Sequence, residues 1–185
     1  MRQALAAFAL LAAAAPGLAR EWRVDPAASE IVFTYTVNGI PAEGRFTEMA
    51  GVGAFDAARP GETRFTLTID VTSLTLRDPM ETAFALSPDW FDAARHPEAQ
   101  YRLARLEQLP DGRWRALGDL TIKDRLEVVR TPIALDIGAE RAEARGTVRF
   151  DRRDFGLGSA LGDLFVEIGR EVSVSFDLVA RPVEK

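Results

Sequence analysis

From Arg64 to Thr72 the chain reads Arg-Phe-Thr-Leu-Thr-Ile-Asp-Val-Thr, so that Phe65, Leu67, Ile69 and Val71 alternate with polar residues without a slip. A period of two puts every second side chain on one side of an extended backbone, which makes this a strand with one dry face. The same period returns at Ile31, Phe33, Tyr35 and Val37, at Ile133, Leu135 and Ile137, and at Val172, Val174, Phe176 and Leu178. Strands of this kind must share one apolar interior, because none can bury its dry face alone.

Trp22–Val24 opens the fold, and candidate strands follow at about 29–38, 43–56, 63–72, 99–108, 113–123, 129–138, 140–151 and 171–181. Eight long strands are enough to close a sheet on itself, so the pattern predicts an all-β fold, an eight-stranded antiparallel barrel. Turn chemistry supports the punctuation. Asn38-Gly39 and Asp111-Gly112 are hairpin dipeptides that tolerate positive φ, and Pro60-Gly61 is a turn pair between the second and third runs. The interval at about 78–97 breaks the rule of two. Pro79 suits a first helical position and Met80 to Leu86 does not alternate, so short helices are expected between the third and fourth strands.

Two irregularities bear on the interior. In the fourth run Tyr101 and Leu103 lie on one phase and Ala104 and Leu106 on the next, the one-residue slip that a β-bulge produces. In the fifth, Trp114, Ala116, Gly118, Leu120 and Ile122 share a face on which small residues leave room beside large ones. Gly51 and Gly53 suit a sharp bend in the second strand. Periodicity alone is consistent with either of two interiors: one packed solid with its own side chains or one that encloses a ligand.

Composition changes the picture mainly through the first residues. Arg2, the apolar stretch Ala4–Ala15 and the small residues Gly17-Leu18-Ala19 read as a cleavable secretory signal over residues 1–19, leaving residues 20–185 as a single domain in the periplasm or outside the cell. The apolar stretch falls well short of the roughly 20 residues a spanning helix needs. There is no cysteine, hence no disulfide and no lipidated cysteine. Without the signal the charged residues are 22 Lys and Arg (23 less Arg2) against 28 Asp and Glu, a formal charge of −6, and no basic run stands out. Nucleic acid is therefore not an expected partner.

Catalytic and metal chemistry find little to work with. His96 is the single histidine, and with no thiol it makes a poor basis for a zinc centre. No Gly-x-Ser-x-Gly segment is present to supply a triad nucleophile. Asp154-Phe155-Gly156 matches the metal-binding triplet of protein kinases, but the glycine-rich loop and catalytic loop that give it meaning are missing. The chain is read as a non-enzyme, with no catalytic residue, metal or cofactor.

Five segments occur in an order that narrows the field: Trp22-Arg23-Val24-Asp25-Pro26, Gly44-Arg45-Phe46, Ser87-Pro88-Asp89-Trp90-Phe91-Asp92 with His96-Pro97, Gly118-Asp119-Leu120-Thr121-Ile122-Lys123, and Arg152-Arg153-Asp154-Phe155-Gly156. Together they make the chain resemble the YceI-like family over essentially all of residues 20–185. The resemblance implies a lipocalin-like barrel, exported, with an elongated central pocket for polyisoprenoid or other long apolar chains. The chain departs from the family pattern near its start, where Ala28 precedes Ser29 and Thr36-Val37 stand in place of histidine-bearing pairs, and again at Pro79–Leu86, which is less polar.

With that resemblance, the dry-phase residues Phe33, Tyr35, Phe65, Leu67, Ile69, Phe176 and Leu178 are the expected ligand-binding wall. Tyr101, Phe155 and, from the helical interval, Phe84, Trp90 and Phe91 are added to it. Arg77 and Arg153 are the head-group candidates, with Arg152 beside them, because guanidinium groups suit a phosphate. The expected partner is a long apolar lipid. The alternative is an exported stress-related scaffold, with no essential ligand, that contacts a membrane partner such as a cytochrome. Either form is compatible with a monomer or a homodimer.

Overall fold

A computed structural model of the chain describes residues 20–55, 59–158 and 166–183; the expected signal at 1–19 lies outside them. The alternating runs become β1 (Arg20–Val24), β2 (Glu30–Val37), β3 (Ile40–Phe46), β4 (Met49–Phe55), β5 (Arg64–Asp70), β6 (Leu74–Thr75), β7 (Glu98–Gln108), β8 (Trp114–Ile122), β9 (Arg125–Ile137), β10 (Ala142–Asp151) and β11 (Glu171–Pro182). All pairings between them are antiparallel.

Neighbours run β1-β4-β5-β7-β8-β9-β10-β11, and β11 returns to β1 through Trp22↔Pro182, Arg23↔Arg181 and Val24↔Ala180. The sheet is thus a closed barrel of eight staves. The extra strands are halves of bent ones. A 3₁₀ turn at Pro26–Ala28 interrupts the first stave, so that β11 pairs with β1 near its end and with β2 from Ser173↔Thr34 to Asp177↔Glu30. The second stave breaks between β3 and β4, where the Thr47 and Glu48 amides donate to Ser73 Oγ at 3.2 and 3.1 Å instead of to a ladder partner.

The bend in the second stave therefore falls at Thr47-Glu48, not at Gly51 and Gly53. Those glycines answer a different need. A Cβ on Gly51 would run into the Val24 side chain, and one on Gly53 would lie 2.8 Å from the Arg64 carbonyl oxygen. The expected bulge is present: β7 and β8 change register between Leu103 and Arg105, leaving Ala104 outside the ladder. β9 begins at Arg125, earlier than alternation suggests, because Lys123 and Asp124 make a two-residue turn with φ of 50° and 60°. The pair lacks the glycine of an Asn-Gly or Asp-Gly dipeptide, so alternation with those dipeptides does not mark the turn.

The helical interval holds one α-helix among the described residues, α1 (Pro79–Ala85), in place of several. Pro79 stands at its first position, and the Asp78 carboxylate caps it by accepting the Met80 amide at 2.7 Å. Beyond Leu86 the chain turns instead, with the Asp92 and His96 amides bonding to the carbonyls of Ser87 and Asp92 at 2.8 Å each. Pro88 cannot donate, and Asp92 sits at φ 49°, so a second helix cannot propagate. Buried apolar residues form two clusters, one around Ile31, Leu67 and Leu178 and the other around Val71, Phe155 and Leu157.

Candidate functional site

A cavity of about 940 Å³ occupies the barrel. On β9 its wall takes Val129, Thr131, Ile133, Leu135 and Ile137, every second residue of the strand. On β10 it runs from Ala142 and Ala144 to Val148 and Phe150, so the space extends along most of the barrel axis. The wall is overwhelmingly hydrocarbon and aromatic because each stave turns its dry phase inward.

Of the expected ligand-binding residues, Phe33, Tyr35, Phe65, Leu67, Ile69, Phe84, Trp90, Phe91, Tyr101, Phe176 and Leu178 all lie on this wall. The aromatic members touch. Phe33 stacks on Tyr35 with centroids 5.8 Å apart, Phe46 meets Phe91 edge-on at 6.0 Å, and Phe84 leans over Trp90 at 5.8 Å. Small positions do not simply leave room. The Tyr101 ring occupies the space beside Gly118, where a Cβ would lie 2.5 Å from it, and Phe176 does the same at Gly146, at 2.7 Å.

Phe155 is not on the wall. It is fully buried, 0 % exposed, and packs edge-on against Phe150 at 5.0 Å inside the second cluster. Positive φ at Gly156 and Gly158 turns the segment so that this ring joins Val71, Ala99, Ile122 and Leu157 in the core. Neither head-group candidate reaches the cavity. The Arg77 side chain is 90 % exposed and pairs with Glu81 at 3.9 Å, and Arg153 is exposed on the turn after β10, where its amide donates to Asp151 Oδ1 at 3.0 Å. Alternation cannot separate these arginines from their neighbour, since all three fall on polar turns.

Arg152 is the arginine the fold takes inside. It is 1 % exposed, lines the cavity, and lies under the Trp90 ring at 5.0 Å. Its guanidinium donates to the carbonyls of Leu157 at 2.6 Å, Ile168 at 2.9 Å and Gly169 at 3.0 Å. It ties the β10 end, the Phe155 turn and the approach to β11 together.

Other polar residues on the wall were not expected from the pattern. Asp78 and Glu81 of the α1 region border it at one end and Trp22 and Thr63 at the other, where Arg64 and Glu143 also adjoin it from the outward phase of their strands. The buried Nε1 of Trp22, Oγ1 of Thr63 and Nε1 of Trp90 have no hydrogen-bond partner among the described residues. Burial pushes the Tyr101 phenol up to about 12, with the Asp119 charge adding to it, and burial likewise raises Tyr35, with Glu81 adding and Arg77 opposing. Both phenols are neutral at ordinary pH.

His96 is away from the cavity, its Nδ1 3.2 Å from Asp124 Oδ2 and its Nε2 3.9 Å from Asp92 Oδ2. Among the described residues no three His, Asp or Glu side chains gather as metal ligands, and no helix is long and apolar enough to cross a membrane.

No curated protein sequence matches the chain, but solved structures do. BcnA of Burkholderia cenocepacia is similar at 28 % identity and a TM-score of 0.78, over 84 % of this chain and 98 % of that one. A polyisoprenoid-binding domain from Saccharophagus degradans, implicated in plant cell wall breakdown, has the same fold at 16 % identity and a TM-score of 0.71, covering 90 % and 99 %. The YceI protein of Campylobacter jejuni follows at 18 % identity and 0.62, over 77 % and 85 %. The model of the YceI-like domain family matches residues 22–180, from Trp22 in β1 to Ala180 in β11 and so around the whole closed barrel, and the chain belongs to that family.

Proposed function

We propose that this protein holds one long apolar lipid, a polyisoprenoid or a similar chain, inside the barrel, and acts as a carrier or buffer for it outside the cytosol. The observation that carries the reading is the cavity of about 940 Å³ running along the barrel with an apolar wall. Its volume stands at the upper end of the roughly 300–1,000 Å³ range of ligand pockets. The polyisoprenoid-binding domain of Saccharophagus degradans, which shares the fold, supports the choice of ligand class.

The energetics favour exchange over tight capture. A chain of about 40 carbons at roughly 0.8 kcal/mol per buried methylene would nominally gain near 30 kcal/mol from water. Real affinities saturate at about 18–21 kcal/mol, and such a chain begins in a membrane or micelle. Transfer between two dry places is nearly neutral. An apolar wall therefore supplies capacity, and the few polar groups on it supply selectivity.

Solvent extraction of natively purified protein followed by mass spectrometry should release a long-chain lipid at close to one per barrel. Leu67 is buried on the wall, so Leu67→Trp fills the cavity and should abolish loading. Ala144→Trp, at a half-buried wall position, is a second variant should the first overpack. No extracted lipid, together with no uptake of added polyprenol by delipidated protein, overturns the reading, as does loading by folded variants equal to that of the parent.

A further inference from the structure

The two ends of the cavity differ in chemistry. Trp22 in β1 pairs with Gly53 in β4, which pairs in turn with Phe65 in β5, so the three form one inward row; Thr63, two residues before Phe65, shares its phase. Trp22 and Thr63 are 8 % and 7 % exposed, both line the cavity, and neither Trp22 Nε1 nor Thr63 Oγ1 has a partner among the described residues. Gly53, between them, has no side chain to answer either group. Folded proteins seldom leave buried donors unmet, because each forfeits the hydrogen bond it made to water.

The charges at this end argue about the kind of acceptor. The Arg20 guanidinium stacks on the Trp22 ring at 5.5 Å but is held by the Ala139 carbonyl and by Glu140 at 3.5 Å. Arg64 Nη1 donates to the Glu62 carbonyl at 3.2 Å. Glu143 lies on the outward phase of β10, opposite to the inward Ala142 and Ala144, and is engaged there by Arg141 and Arg145 at 2.5 Å each. Hydrogen bonding from Arg141, and then the charges of both arginines, keep that carboxyl below its ordinary range and hence anionic. With Arg20 and Arg64 held by protein oxygens and Glu143 turned outward with its own arginines, this end of the cavity offers little counter-charge for a phosphate.

We infer that the Trp22 and Thr63 end of the cavity is a subsite for a neutral oxygen at the head of the bound lipid, a hydroxyl or carbonyl received by Trp22 Nε1–H and Thr63 Oγ1–H, in preference to a phosphate or diphosphate. This rests on the lipid-binding reading and makes it more specific: the tail fills the apolar length of the barrel and the head seats at this end.

The test compares delipidated protein titrated with a polyprenol, with the corresponding polyprenyl phosphate and with squalene, a long hydrocarbon lacking oxygen, by competition against a fluorescent apolar probe. The parent should bind the polyprenol most tightly. Thr63→Val, which keeps the shape and removes the hydroxyl, should lower the ratio of polyprenol to squalene affinity by about tenfold, the scale of one hydrogen bond lost in a dry site. Trp22→Phe should lower it similarly. Phosphate preferred over alcohol by the parent overturns the subsite. So does an unchanged ratio in folded Thr63→Val, or a ratio that falls with Trp90→Phe at the opposite end and not with Thr63→Val. Squalene bound as well as polyprenol by parent and variants alike removes the subsite but leaves the lipid-binding reading standing; failure of all three ligands to bind removes both.

Discussion

At the scale of single residues, Arg152 illustrates how context decides the role of a charge. The same guanidinium chemistry that leaves Arg77 in solvent lets Arg152 satisfy the carbonyls of Leu157, Ile168 and Gly169 at once, because its fork presents several donors in fixed directions. Arg152→Met should remove about 3 kcal/mol or more from the unfolding free energy in a urea titration, since each orphaned buried acceptor costs about 1–3 kcal/mol. Arg152→Lys should recover only a minor part, because an ammonium cannot span the three acceptors. Tyr101 makes a second residue-level case. Its phenol is held protonated up to about 12 in the folded barrel against 10.0 ordinarily. A folded value above the unfolded one means that the stabilisation is complete below pH 10.0 and is lost as the pH climbs toward 12. Thermal unfolding followed across that interval should show the midpoint falling, and falling less in Tyr101→Phe; equal slopes would remove the assignment.

Among the elements, α1 is the one least able to stand alone. A seven-residue helix is far below the length that is stable in water by itself, so it depends on the Asp78 cap and on Phe84 resting over Trp90. Met80 and Phe84 are 81 % and 54 % exposed while also reaching the cavity wall, which makes α1 part of the rim. Asp78→Ala should cost about 1 kcal/mol of local stability. Hydrogen exchange should then speed up at the amides of Thr82 and Leu86 and stay unchanged in β7–β11. Uniform acceleration throughout the barrel would mean that the helix is integral to global stability. The beginning of α1 was legible, because a proline preceded by aspartate is a local signal. That no second helix follows α1 within the described residues 87–97 was not, since it depended on Asp92 adopting positive φ within the turns after Leu86.

For the whole molecule, closure is the dominant fact, and surface charges decorate it. The Arg181–Asp25 pair, 2.9 Å, sits on the β1–β11 seam, and Arg145–Asp177, 2.8 Å, spans β10 and β11. Asp25 is held low by its bond from Arg181, Asp111 by Arg113 and Glu143 by Arg141, while Asp151 is lowered first by the Arg153 amide and then by Arg170. Folded values below the unfolded 3.8 and 4.5 contribute stability that is present above those pH values and disappears as the carboxylates protonate below them. These carboxylates are half-buried to exposed and their arginine partners lie in solvent, so the acid loss should be gradual and should shrink in high salt, which screens such pairs. A steep, salt-independent collapse near pH 4.5 would point to a buried carboxylate instead.

The sequence by itself determined the features that repeat locally: inward alternation, a stave count of eight, the slip that becomes the Leu103–Arg105 bulge, and the hairpin at Asn38-Gly39. Each is set by residues within a few positions of one another, and a period of two survives whatever lies across the sheet. Tertiary structure decided what the inward residues do. Phe155 became a core residue and Arg152 an internal clasp, Tyr101 and Phe176 moved over Gly118 and Gly146, and Trp22 and Thr63 were brought to the same cavity end without hydrogen-bond partners among the described residues. Those outcomes arise from strands distant in the chain meeting across a closed barrel, and no local periodicity encodes which side chains will face one another there.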